Sequence, residues 1–282
     1  MENKMDEVKP YVVYLSSSAH SDWREPVKAK YLKDDHVIFV GPCENHGLSD
    51  AMGAPGDVKP GHKLRITQML SKSDILFGYI PDDRYRSFNI MLETGIAHAK
   101  KKRVLFVNEA RSLDDEVECA QPYINQSFDS LSDGLDSLHQ IITAPSENRG
   151  AGSEPNQFTQ PINHLEHRIF LSGSPSSAWT DRVQAQYQND KSVTILAESG
   201  MQDLAAADIL FACRTDSGGR LFNLVLAVGY ANALGKQILF VNQGDHYSHA
   251  YDYVKPFADG YFTTLDEGLR YLDYAVGIED RL

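Results

Sequence analysis

Long apolar runs are missing from this 282-residue chain: none approaches the roughly 18 residues that a membrane-spanning helix needs. A basic excess is missing too. Lys and Arg number 27 against 39 Asp and Glu, a net charge of −12, which argues against polymeric nucleic acid and anionic membranes as partners. Such a balance leaves room for one phosphate held locally by backbone amides. Cysteine is scarce: Cys43, Cys119 and Cys213 show no CxxC spacing, so neither a disulfide framework nor a thiolate metal site is expected, and a reducing cytoplasmic setting is. The opening MENKMDEVKP has no apolar core of the kind a secretory leader carries. Tryptophan occurs only at 23 and 179, and those two positions mark what the chain does have.

The chain is one unit written twice. VVYLSSSAHSDWREPVKAKYL, from Val12, lies over RIFLSGSPSSAWTDRVQAQYQ, from Arg168, with an offset of 156 set by Trp23 and Trp179. Further on, SDILF pairs with ADILF and RVLFVN with QILFVN at an offset of 134, which holds from Asp74/Asp208 through Leu138/Leu272. The difference, 22 residues, is lost from the second copy between the equivalents of Val40 and Asp74. A fixed offset over such a length indicates a duplication. The expected organisation is a tail over 1–10, a first domain over 11–144, a Pro/Gly/Ser-rich linker over 145–165, and a second, degenerate copy over 166–282.

Each copy alternates short apolar runs with amphipathic stretches. YVVYL, HVIFV, DILFGYI and RVLFV read as four buried strands. DWREPVKAKYLK, FNIMLETGIAHAKK and LSDGLDSLHQII read as helices, the last with Ser132 placed to cap it. The order predicts an α/β fold of two tandem Rossmann-like, flavodoxin-like domains, each a small parallel sheet with helices on both faces. Ligands of such sheets bind outside the carboxyl ends of the strands. That directs attention to Ser16–Arg24, Gly41–Lys63 and Pro81–Asn89.

In the first of these, Ser16, Ser17, His20, Asp22, Trp23 and Arg24 combine small hydroxyls with a cation before a helix, where Ser21 or Asp22 would be an ordinary N-cap. The second copy keeps serines and Trp179 but has no His or Arg there, with Pro175 in the stretch and Thr180 opposite Arg24, so Trp23 reads as structural, and His20 and Arg24 as functional. The second segment sets Gly41, Glu44, Asn45, His46 and Asp50 in a glycine-bounded loop that the other copy lacks. His20, His46 and His62 have no metal-ligand spacing, and neither metal nor cofactor is expected. The third holds Glu93, in FNIMLETGIAHA, whose counterpart in FNLVLAVGYANA is Ala227. A carboxylate kept for the helix dipole alone would leave a polar residue in the copy. One site with a degenerate partner explains the loss of the loop and of the acid together. On that ground Ala227 shows the scaffold tolerating Glu93→Ala, at a cost expected to stay within about 1 kcal/mol.

VYLSSSAHSDWREPV with FVGPCENHGLSDAMG resembles the YtoQ-type proteins over most of Val12–Val107. LETGIAHAKKKRVLFV is more distantly similar to nucleoside 2-deoxyribosyltransferases and related nucleotide N-glycosidases. The latter resemblance implies that Glu93, followed by Gly95, is the nucleophile at a sugar anomeric carbon. Where the transferases carry an Asp six residues earlier this chain has Ser87, and their Gly-Lys after the helix reads Lys101-Lys102 here but Gly235-Lys236 in the second copy. The expected activity is cleavage or transfer of an N-glycosidic bond of a nucleoside or nucleotide. Asp22, Asp50 or His46 would protonate the leaving base, while Arg24, Arg65, Asn89 and the serine loop would hold sugar or phosphate. The alternative is a nucleotide- or sugar-phosphate-binding module without turnover. The resemblance also implies an intramolecular pseudo-dimer, with homodimerisation left open.

Overall fold

The computed structural model describes residues 9–17, 22–41, 60–83, 87–144, 166–175, 177–196, 200–215, 219–244 and 251–278. His20, Glu44, Asn45, His46 and Asp50 lie outside them, as does the expected linker.

The first unit runs β1 (Tyr11–Ser16), α1 (Arg24–Lys30), β2 (Val37–Val40), α2 (Pro60–Lys72), β3 (Ile75–Ile80), α3 (Phe88–Ala99), β4 (Arg103–Asn108), a short α4 (Asp114–Val117), β5 (Gln126–Phe128) and α5 (Leu131–Thr143). The second repeats it as β6 (His167–Gly173), α6 (Ser177–Tyr187), β7 (Val193–Leu196), α7 (Met201–Ala206), β8 (Ile209–Arg214), α8 (Phe222–Ala233), β9 (Gln237–Asn242), β10 (Gly260–Phe262) and α9 (Leu265–Ala275). Both sheets are parallel, with orders β2-β1-β3-β4-β5 and β7-β6-β8-β9-β10. This is the flavodoxin-like order, whose switch point lies between the first and third strands. The α/β reading with two tandem Rossmann-like units therefore stands.

Each sheet has a fifth strand that sequence reasoning does not show: QSF and GYF are three residues long, too short for a period-2 signal. Helix α2 begins at Pro60, inside the stretch read as a loop; proline suits a first helical turn, where its missing N–H costs nothing. The cap of α5 is Ser130, which accepts from the Asp133 amide, and Ser132 lies within the helix. Trp23 occupies the N-cap of α1 without a side-chain bond, so Asp22 does not cap it.

The duplication reaches the tie points. Asp74 accepts from the Val12 amide at 2.8 Å and Asp208 from the Arg168 amide at 2.9 Å, so the Asp of SDILF and ADILF pins the first strand of each sheet. Three layers of core result. An outer one lies between sheet one, α1 and α5, and its counterpart between sheet two, α6 and α9. The central one is shared: α3 and α8 pack side by side between the two sheets. That is why FNIMLETGIAHA and FNLVLAVGYANA are apolar on nearly every side; nine of twelve residues of α3 are buried, and eight of twelve of α8.

The two helices meet backbone to backbone. A Cβ on Gly95 would overlap the Leu226 carbonyl oxygen, and one on Gly229 would overlap that of Leu92. Since 92 pairs with 226 and 95 with 229 in the repeat, the contact is reciprocal. Phe88 meets Phe222 edge-on at 5.6 Å, and Arg220 crosses between units to Glu116 (3.3 Å) and the Asp83 carbonyl (3.1 Å).

Gly229→Val drives side-chain atoms into that carbonyl and is expected to cost about 3 kcal/mol, read as a lower urea midpoint. A gain is expected at the end of α3. Lys101 holds φ 53°, where the second unit has Gly235 at 70°; both close their helices with the same 6→1 bond, Lys102 to Ala97 and Lys236 to Ala231. Lys101→Gly should therefore raise stability by about 0.5–1 kcal/mol in the same assay.

Candidate functional site

Glu93 is the sixth residue of α3, in its second turn and beyond the reach of the helix-terminal dipole. It is fully buried beside the carboxyl end of β1, at the switch point of sheet one. Tyr14 donates its hydroxyl to Oε1 at 2.7 Å, Ser16 donates to Oε2, and Tyr253 of the second unit donates to Oε1 at 3.3 Å. Period-2 alternation along β1 turns Tyr14 and Ser16 to the same face, toward α3.

Beside this cluster Arg24 is 1% exposed. Its guanidinium donates to the carbonyls of Leu15 (3.2 Å) and Ser17 (2.8 Å), and Asn89 donates to the same Ser17 oxygen at 2.7 Å. The end of β1 is thus clamped from α1 and α3 together. Ser16, Ser17, Arg24, Asn89 and Glu93 come together as a group. Trp23 does not join it: its ring packs on Phe77 (5.8 Å) and Tyr79 (5.1 Å) in the outer core. Asp22 is exposed in the turn before α1, with no hydrogen bond to the cluster. Gly41 lies against β1, where a Cβ would press on the Leu15 carbonyl at 2.8 Å, so its role is close approach of backbones. Arg65, half-buried on α2, places its charge toward Tyr253. Ser87 is buried at the start of α3, with φ 55°. Among the described residues no group of His, Cys, Asp and Glu could hold a metal.

Burial pushes the Glu93 carboxyl up to about 7, against the bonds from Ser16 and Tyr14, the Arg24 charge and the bond from Tyr253, all of which favour the anion. Burial, then the charge of Glu93, raises the Tyr14 and Tyr253 phenols well above their ordinary value. The phenols therefore stay protonated as donors while Glu93 titrates near neutrality.

The second unit differs at the matching edge. Ala227 replaces Glu93, Phe170 replaces Tyr14 and Thr180 replaces Arg24. β6 pairs one residue further than β1 does, Gly173 with Cys213; the Ser174 amide then donates to the Cys213 carbonyl (3.0 Å) and the Thr215 amide to the Ser174 hydroxyl (2.8 Å). The second unit is therefore no template for Glu93→Ala in the first. There the substitution would orphan the Tyr14 and Ser16 hydroxyls and leave a cavity, so the small cost expected from sequence is corrected upward, to about 2–4 kcal/mol.

Residues 14–121 match the family described as Nucleoside 2-deoxyribosyltransferase YtoQ. Over that span the first unit is similar to this family. Among curated proteins, the uncharacterized protein YtoQ of Bacillus subtilis (strain 168) is 29% identical over 145 residues, covering 43% of this chain and 95% of the relative. Tyr14, Ser16, Arg24, Asn89 and Glu93 all fall within the span of the YtoQ match, whereas Tyr253 lies beyond it. Sequence reasoning missed Tyr14 and Tyr253. The second was visible as a gain, since the copy that lost the acid acquired a tyrosine where the first has Cys119.

The sign of the pH effect follows. A carboxyl raised from 4.5 to about 7 binds its proton more tightly in the folded than in the unfolded chain, so folding is weakened as pH rises through that window. The loss is about 3 kcal/mol by pH 8. Glu93→Gln carries no such charge; urea midpoints measured from pH 4 to 8 are expected to coincide with the parent at pH 4 and exceed it at pH 8. Parallel curves would mean that Glu93 titrates normally.

Proposed function

We propose that the first unit cleaves or transfers the N-glycosidic bond of a nucleoside or nucleotide, with Glu93 as nucleophile. The observation that carries this reading is a buried carboxyl at the switch point, titrating near 7 and oriented by Tyr14 and Ser16. The printed name of the matched family, Nucleoside 2-deoxyribosyltransferase YtoQ, supports the substrate class.

In this mechanism the Glu93 carboxylate forms a bond to the anomeric carbon as the bond to the base nitrogen breaks, and the electron pair leaves with the base. A proton must reach that nitrogen, from Asp22, Asp50 or His46. Water, or a second base, then attacks the anomeric carbon and returns the carboxylate. Few water molecules surround a buried carboxylate, which makes it a better partner for the positive charge that develops on the sugar. Arg24, Arg65, Asn89 and the serines after β1 would hold sugar hydroxyls or a 5′-phosphate, with residues of segment 41–50. The domains of 11–144 and 166–282 form, in this reading, an intramolecular pseudo-dimer in the cytoplasm, with one working site.

One observation favours a second reading. Glu93 has no exposed surface, and both of its oxygens already accept bonds. A nucleotide-binding module, in which the carboxyl only orders the edge of the sheet, would look the same.

Incubation with a panel of nucleosides and 5′-monophosphates, with base release followed by chromatography, separates the two. The catalytic reading expects base release by the parent chain and its loss by three orders of magnitude or more in Glu93→Gln, with ligand affinity by calorimetry largely kept. It also expects kcat/KM to rise about tenfold per pH unit below 7 and to level above it, because only the anion attacks. Undiminished turnover in Glu93→Gln would remove Glu93 as nucleophile. Binding without base release in the parent would favour the module.

A further inference from the structure

The second unit is degenerate at its own ligand edge, yet it carries a polar and aromatic cluster that the first unit lacks. Where the first has Ile80, Val117 and Cys119, the second has Arg214, Tyr251 and Tyr253. Drift from a lost site tends to leave small or apolar residues, as Ala227 and Phe170 illustrate. These three exchanges run the other way; Arg214 and Tyr251 are in contact, and Tyr253 follows Tyr251 by two residues.

Arg214, at the end of β8, is 2% exposed. Its bonds go to neutral oxygens: the Asn242 side chain at 2.6 Å and the Gly244 carbonyl. Its guanidinium carbon lies over the Tyr251 ring, 4.5 Å from the ring centre, a cation–π contact that arginine makes more often than lysine. Tyr251 is fully buried. Its ring meets Phe88 of α3 edge-on at 4.9 Å, and its hydroxyl donates to the Arg220 carbonyl at 2.6 Å. It is therefore held by both units at once. Two residues further along, Tyr253 reaches Glu93.

We propose that the second unit serves the first unit's site in trans: Arg214, through Tyr251, holds Tyr253 against Glu93 and so helps set the ionisation of that carboxyl. Tyr253 is a donor to the reacting group, and Arg214 and Tyr251 are positioning residues. The groups facing Glu93 are Tyr14 and Ser16 from β1, Arg24 from α1 and Tyr253; Arg65 of α2 faces Tyr253 in turn. A bond donated to the anion favours it, so withdrawing Tyr253 moves Glu93 further toward its neutral form. The consequence for rate rests on the reading of Glu93 as nucleophile; the effect on ionisation does not.

The test is a titration of Glu93 in the full ligand-free chain, by NMR of carboxyl-¹³C-labelled glutamate, with Glu93→Gln assigning the signal. Tyr253→Phe is expected to raise the midpoint by about one pH unit. Arg214→Lys is expected to raise it by less in the parent background and by nothing further in Tyr253→Phe, as a double-mutant cycle requires of two residues acting in series. Should Arg214→Lys fail to fold, Tyr251→Leu takes its place in the cycle. An unmoved midpoint in Tyr253→Phe overturns the proposal. So does an Arg214→Lys shift of equal size in both backgrounds, which would make it a general loosening of the fold. If Glu93→Gln still released base while these shifts held, the proposed reaction would fail and the coupling between units would stand.

Discussion

The close crossing of α3 and α8 is the constraint on which the rest depends. Gly95 and Gly229 have no side chains at the point of contact, so each helix backbone lies against the carbonyl of the other. That approach brings the inner faces of both sheets onto one shared core. It also decides the surroundings of Glu93, two residues from Gly95. Any wider spacing would admit water to α3 and return its carboxyl toward ordinary behaviour. The same approach lets a tyrosine from the second unit reach an oxygen on the first.

A buried carboxyl is an expense that a stable scaffold has no reason to carry. Ser16 and Tyr14 offset part of it by donating bonds, and the Arg24 charge and the Tyr253 bond offset a further, smaller part, yet burial still dominates. The second unit shows the cheaper arrangement. There phenylalanine and alanine stand where the phenol and the acid would be, and the switch point is laced by Ser174 and Thr215. Loss of the donor and loss of the acid go together because either alone leaves a buried polar group unsatisfied. The candidate site of the first unit is in this sense a local sacrifice of stability.

Much of this was legible in the residues. Apolar runs alternating with amphipathic ones established two parallel-sheet units, and the exchange of Glu93 for Ala227 marked the candidate site. The short fifth strands were not legible, because three residues carry no period. Nor was α2, whose apolar positions Leu64, Ile66, Met69 and Leu70 only partly reach the core; Leu64 stays exposed. Tyr14 was hidden by its own strand, where a tyrosine among valines and leucines reads as core.

What the sequence determined by itself, then, was everything that depends on spacing along the chain: the duplication, the alternation of strand and helix, and the loss from the second copy of the carboxylate in FNIMLETGIAHA. What only the tertiary structure decided was which groups that carboxylate meets. Tyr253 stands 160 residues from Glu93 in the chain and in the other unit. No local pattern couples them, because their meeting depends on how closely two helices pack. Only the glycine contact, in three dimensions, sets that distance.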